Sequence, residues 1–186
     1  MSKNDITKET QLISRCRAGD TKAFAQLIFP YKDSLYTYLL RLSGNNANAE
    51  DLFQETMVKI WRGLKKYKEQ NKFSSWLFSI AHNVSLDYFR KMKKEKNDVS
   101  ISEILSLKSD KDPYDQLVNK EMEAQLIKSL MRLPDKQREV FLLRLNGNLS
   151  FKEIAELTEE PLNTVLSHMH YAVKKLKFIL RNENAA

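Results

Sequence analysis

Apolar residues recur along the chain at spacings of three and four, the repeat of a helix with one buried stripe. No stretch keeps the period-two alternation of a half-buried strand, and no hairpin dipeptide separates two β-branched runs. The spacing predicts helices over 9–18, 20–29, 31–43, 48–66, 74–94, 113–131, 135–146, 150–158 and 162–180. The punctuation agrees with those limits. Gly19, Gly44 and Gly147 follow periodic stretches, as C-terminal caps do, and Pro30, Pro113, Pro134 and Pro161 precede or open them. Asp112-Pro113 reads as an N-cap followed by a first helical residue, and Ser150 with Glu153 as a capping box. Gly63 alone falls inside a helix. The fold expected is all-α, with two small helical domains joined by a flexible linker. The first spans 1–94, the linker 95–112, with a short helix conceivable at 101–107, and the second, a helix-turn-helix domain, 113–186.

Within 48–66 the stripe read from spacing is Phe53, Met57, Ile60 and Leu64. Asp51, Gln54 and Glu55 lie off it. Asp51 meets the positive end of the helix dipole. Glu55 follows it by four residues, where like charges cost a few tenths of a kcal/mol. A carboxylate pair held at a cost suits a basic protein partner, and an ordinary solvated face fits the same spacing.

Within 74–94, Ser74 is the expected N-cap, and Leu77, Ile80, Ala81, Val84 and Tyr88 the core stripe. A second stripe is polar and aromatic: Trp76, Ser79, Asn83, Asp87, Arg90 and Lys94. The helix ends in RKMKK, which includes Lys91, and the segment before it, KKYKEQNK, holds Tyr67 and Lys72. Rings interleaved with Lys and Arg suit single-stranded nucleic acid, because bases stack on the rings while the cations follow the phosphates. An Asn amide can read a base edge with two hydrogen bonds. A core tryptophan and lysines favoured at a helix C-terminus are the plainer explanations, though neither accounts for the basic segment that precedes the helix. His82 reads as a surface or partly buried histidine with no special role.

The run LSFKEIAELTEEPLNTVLSHMHYAVKKLK divides into a short helix, a tight connection and a longer helix. Phe151, Ile154, Ala155 and Leu157 form the buried side of the first. Val165, Met169, Ala172, Leu176 and Leu180 form that of the second. Thr164, Ser167, His168, Tyr171 and Lys175 share another face of the second helix. This is the layout of a DNA-binding helix-turn-helix, whose second helix enters the major groove. Plain helical bundles contain such pairs too. His168 and His170 point in different directions and make a poor zinc pair.

Charge sharpens this picture. The 186 residues carry a formal net charge of +7. Residues 59–94 hold ten basic side chains against Glu69 and Asp87 alone. So basic a block is a candidate nucleic-acid surface. The single Cys16 excludes an intramolecular disulfide and any cysteine-based zinc cluster. No apolar run reaches the roughly 18 residues of a membrane span, and the opening stretch lacks an apolar signal core. A cytoplasmic protein without cofactor, metal site or membrane insertion is therefore expected. On these residues two function classes are open, an autonomous helix-turn-helix regulator and an enzyme. The enzyme reading lacks a glycine-rich phosphate loop, a metal-ligand cluster and a nucleophile paired with a base.

The order AFAQLIFPYKDSLYTYLLRL, AEDLFQETMVKIW, FSSWLFSIAHNVSLDYFRK, LPDKQREVFLLR and LSFKEIAEL resembles a bacterial RNA polymerase sigma factor of the extracytoplasmic-function type over about residues 10–94 and 114–180. The resemblance implies a non-catalytic initiation subunit that binds core polymerase and directs it to promoters. Asp51, Gln54 and Glu55 would meet the coiled coil of the polymerase clamp. Tyr67, Lys72, Trp76, Asn83, Asp87, Arg90, Lys91 and Lys94 would capture the melted downstream (−10) element. The second helix of the helix-turn-helix, with Thr164, Leu166, Ser167, His168, Tyr171 and Lys175, would read the upstream (−35) element. An anti-sigma protein is a further implied partner. The family's usual G-x-P-x-G-T-V-[KR]-S-R pattern reads EEPLNTVLSH at 159–168. Both glycines are absent, Leu166 and His168 replace basic residues, and Tyr171 stands where Arg is common. Fewer phosphate and guanine contacts imply an upstream element of different sequence or weaker binding.

Overall fold

A computed structural model of the chain describes residues 3–68, 72–98 and 117–183. Nine α-helices account for most of them: α1 (Lys3–Arg17), α2 (Thr21–Ile28), α3 (Lys32–Ser43), α4 (Asn46–Gly63), α5 (Phe73–Asp98), α6 (Leu117–Met131), α7 (Asp135–Leu145), α8 (Phe151–Thr158) and α9 (Leu162–Glu183). Phe29–Tyr31 forms a 3-10 turn between α2 and α3. There is no strand among the described residues, as the periodicity predicts. α5 starts at Phe73, so Ser74 lies inside its first turn rather than capping it, and the helix continues past residue 94. The expected Asp112-Pro113 cap and short helix at 101–107 lie outside the described residues.

Local chemistry sets several boundaries. Asp20 accepts from the Ala23 N–H at 2.9 Å and opens α2. Gly44 ends α3 in the left-handed conformation (φ 83°), which a residue without a Cβ adopts at little cost. Arg17 donates to the carbonyl of Leu64 at 3.1 Å and to that of Tyr67, which satisfies groups left open beyond the end of α4.

α3 packs on α4, α5, α6 and α7, while α7 packs on α8 and α9. One continuous apolar cluster results. It runs from Leu35, Leu39 and Leu52 through Leu77 and Phe78 to Leu130, Leu142, Val165 and Leu176. The α4 stripe is rotated from the predicted one. Ala49, Leu52, Thr56 and Ile60 are fully buried, while Phe53 and Met57 lie on its flank, half-buried. Thr56 follows because a helix between two neighbours buries whatever sits on the facing line. In α9, Ile179 rather than Leu180 ends the buried stripe. No helix among the described residues is long and apolar enough to cross a membrane.

Polar contacts also join α3 and α5 to the later helices. Arg41 grips Glu123 of α6 with both nitrogens, at 2.9 and 3.0 Å. His82 of α5, only 2% exposed, lies 3.1 Å from Oε1 of Glu139 on α7. The expectation of a surface or partly buried histidine is thus corrected. The helix spacing that placed it had no knowledge of α7. Burial, and then the Lys136 ammonium, push the His82 pKa down to about 4, so the imidazole is neutral at pH 7. An unfolded histidine titrates near 6.5. Between about 6.5 and about 4 the unfolded chain therefore takes a proton that folded His82 refuses, and stability falls as pH drops through that window. The full loss from this group alone is about 3 kcal/mol. Glu139 offsets part of it. Burial raises its carboxyl against the pull of Lys136, so its folded form gains a proton in the same direction. His82→Gln is expected to flatten the fall in urea midpoint between neutral pH and about pH 5. An equally steep fall in the variant would show that His82 does not carry it.

Candidate nucleic-acid interface

The Asn45 side chain accepts from the Asn48 N–H at 2.9 Å and starts α4, whose second and third turns carry Asp51, Gln54 and Glu55, so Asp51 sits beyond the first turn in which the helix dipole would favour it. All three are exposed on the side away from the core. Glu55 pairs with Lys59 at 3.0 Å, and Lys59 reaches Asp87 of α5 at 3.6 Å. Asp87 also lies 3.7 Å from Arg90. Hydrogen bonding to Glu55, more than any other influence, raises the Lys59 pKa. A chain of alternating charges therefore runs from the acidic patch to the polar face of α5. Spacing within α4 and α5 gave no sign of this bridge, because Lys59 and Asp87 meet only once the two helices pack.

On α5, Asn83, Asp87, Arg90 and Lys91 are exposed, as is Lys72 just before the helix. Lys94 belongs to the helix, and its side chain lies outside the described residues. Trp76 is half-buried. Its ring centroid lies 4.7 Å from that of Tyr67 and 5.6 Å from that of Phe73. Gly63 has its reason here, since a Cβ added there would come within 2.9 Å of the Trp76 ring. Tyr67, read from sequence as a surface contact, is buried at 6% exposure inside this aromatic cluster. In this conformation it supports Trp76 and offers no face to a base.

The helix-turn-helix forms as its capping signals predict. Ser150 Oγ accepts from the Glu153 N–H at 3.3 Å, and Glu153 Oε2 accepts from the Ser150 N–H at 2.7 Å. Glu159 takes the left-handed turn after α8 (φ 55°), where the family's usual pattern would put glycine. α9 presents Leu166, Ser167, Tyr171 and Lys175 to solvent, with Tyr171 55% exposed. Thr164 is half-buried, and Ser167 donates to the Asn163 carbonyl at 2.9 Å. His168 is half-buried beside Glu160, Nε2 to Oε2 3.4 Å. Glu160 also meets Lys136 at 3.3 Å, so this carboxylate turns inward. Among the described residues no cluster of three or more His, Cys, Asp or Glu side chains is placed to hold a metal.

The arrangement offers three separate surfaces: an acidic patch on α4, a basic and aromatic face on α5, and a mixed polar face on α9. Residues 27–95 match the family model for sigma-70 region 2, and residues 123–176 that for sigma-70 region 4. Over 178 residues the chain is 33% identical to the ECF RNA polymerase sigma factor SigW of Bacillus subtilis, covering 91% of this chain and 95% of that protein. It is 29% identical to the ECF sigma factor BldN of Streptomyces coelicolor, over 97% of this chain and 69% of the other. Two solved structures share the fold. CnrH, in complex with the cytosolic domain of CnrY, superposes with a TM-score of 0.70 at 20% identity, covering 94% of this chain and 98% of that one. The sigma factor RpoE of Bartonella quintana, in complex with the anti-sigma factor NepR, gives 0.68 at 24% identity, over 86% and 98%.

Proposed function

The chain belongs to the ECF sigma factors of RNA polymerase, and from that premise we propose that its three exposed surfaces divide the work of initiation among core docking, capture of the melted downstream strand, and upstream duplex reading. Sigma factors are non-catalytic subunits that act with core RNA polymerase in promoter-specific initiation, so the chain is not itself an enzyme. The family match sets aside the autonomous regulator.

Asp51, Gln54 and Glu55 take the clamp coiled coil as a basic partner. Lys72, Trp76, Asn83, Asp87, Arg90, Lys91 and Lys94 form the downstream-strand site, with Tyr67 behind Trp76. Thr164, Leu166, Ser167, His168, Tyr171 and Lys175 face the upstream element. The functional units run over 1–94 and 113–186, with 95–112 between them. The chain acts in the cytoplasm, where the promoters are, and takes an anti-sigma protein as a regulator, in line with the complex with the anti-sigma factor NepR in which RpoE was solved. The observation that carries the strand-capture reading is Asn83. It stands exposed on α5, one turn from Asp87 and two from Arg90, between the Trp76 ring and the basic end of the helix.

Asn83→Ala is expected to lower open-complex formation about tenfold while leaving core affinity within about twofold, since a bidentate amide–base contact is worth ~1–3 kcal/mol. Permanganate footprinting beside a core-binding titration reads both, and an equal fall in the two would argue against base capture at Asn83. His168→Arg adds a cation to the α9 face. It is expected to steepen the salt dependence of holoenzyme binding to upstream duplex by about one unit of log K per log salt. An unchanged slope would place His168 away from DNA.

A further inference from the structure

The N-terminal third of α5 is not free. The loop after α7 and the helix α8 lie against it. Ser75 Oγ donates to Glu153 Oε1 at 2.7 Å, across 78 residues of sequence. The same carboxylate keeps its other oxygen on the Ser150 N–H, so one side chain caps α8 and ties it to α5. A cleft of about 240 Å³ between the two helices is lined by Trp76 and Ser79 on one side and by Glu153, Glu156 and Leu157 on the other. Leu149, 1% exposed, seals one end of this contact. On the far side, Asn146, Gly147 and Asn148 line a second cavity together with Lys72, Phe73 and Phe78. Burial raises the Glu153 pKa, but hydrogen bonds from Ser75 and Ser150, with the Lys72 charge, outweigh it and hold the carboxyl below its usual value. The recognition face of α9, by contrast, stays open.

We propose that α8 is an intramolecular occupant of the downstream-strand site, its Glu153 and Glu156 carboxylates standing where backbone phosphates of the captured strand would lie. This inference rests on the assignment of that site to α5. The chemistry matches on both sides: Ser75 and Lys72 suit an anionic oxygen from a glutamate or from a phosphate equally. The two occupants exclude each other, because Trp76 and Ser79 cannot face Leu157 and a base at once. The free chain therefore has its upstream reader exposed and the Trp76 end of its strand site covered, while Asn83, Asp87, Arg90 and Lys91 stay open. α8 must leave α5 before the strand is captured, and apparent strand affinity is reduced by the fraction of molecules that are closed.

The test uses the full chain without polymerase, and a short fluorescein-labelled single strand of mixed sequence followed by anisotropy at low salt. Glu153→Gln keeps a residue that capping boxes accept, so α8 still starts properly, while the charged clasp is lost. It is expected to bind the strand at least about fivefold more tightly than the wild type. Glu121→Gln, an exposed charge removal on α6, is expected to change nothing. Lys72→Ala, at a cation that is exposed in either state, should weaken strand binding alike in the wild type and in the Glu153→Gln background. Equal affinity of wild type and Glu153→Gln would overturn the proposal, as would an equal gain in Glu121→Gln. If Asn83→Ala still impairs open complexes when Glu153→Gln has no effect, the cover is wrong and the strand site stands. If Asn83→Ala is also silent, the site assignment itself has failed.

Discussion

Replacing Asp51 and Glu55 together by arginine is expected to lower affinity for core RNA polymerase about 100-fold or more. Juxtaposed like charges cost several kcal/mol at an interface, and every 1.4 kcal/mol is a factor of ten. The fold has little to lose from the change. Both residues are exposed, and the buried line of α4 passes through Ala49, Leu52, Thr56 and Ile60 instead. Among the described residues the only ion pair given up is Glu55 with Lys59, and exposed pairs at that spacing contribute about 0.3–0.5 kcal/mol. Circular dichroism and the melting temperature should stay near those of the wild type while titration with labelled core shows the loss. Unchanged core affinity in a folded variant would remove the docking role of the patch.

The second large effect belongs to Gly147. A Cβ there would come within 2.5 Å of the Leu149 side chain, 2.7 Å of the Leu143 carbonyl oxygen and 3.1 Å of the Phe78 ring. The Leu149 methyl can turn aside. The Leu143 oxygen is backbone within α7, and Phe78 is 1% exposed in the core, so neither can give way cheaply. Gly147→Ala is expected to destabilise the chain by about 2–3 kcal/mol, the upper part of the range for overpacking. At this chain length that corresponds to a melting temperature lower by about 5–10 °C. A variant that melts with the wild type would mean that the loop has another position open to it.

Gly147 also shows where sequence reasoning reaches and where it stops. Its place after a periodic stretch predicts a helix cap in the left-handed turn. That turn falls on Asn148 (φ 49°), and the glycine is required by crowding instead. The Ser150–Glu153 box and the Gly44 cap were legible because both partners sit within a few residues and the chemistry is local. The surfaces on α4, α5 and α9 were legible as faces, because polar residues recur there at helical spacing. What the spacing could not show is who sits opposite. Tyr67 and Gly63 make sense only beside Trp76, His82 only beside Glu139, and Thr56 only once α4 lies in its groove. The Ser75–Glu153 contact left no trace in a pattern whose period is under four residues. Glu153 was read as a cap and is one, and nothing in a capping box announces that its carboxylate has a second partner on another helix.

Cys16 is 4% exposed on the core side of α1, and burial above all, with Asp20 nearby, raises its thiol pKa. A thiol kept protonated and out of solvent reacts slowly with maleimides and peroxides. A thiol-oxidising signal would thus have to reach transcription through another protein, since this chain offers no reactive thiol of its own. The same inertness makes the wild-type sequence a silent background for spectroscopy. A cysteine placed at an exposed position of α8 and another on α5 could carry fluorophores without prior removal of Cys16, and the separation of the two helices could then be followed as polymerase is added.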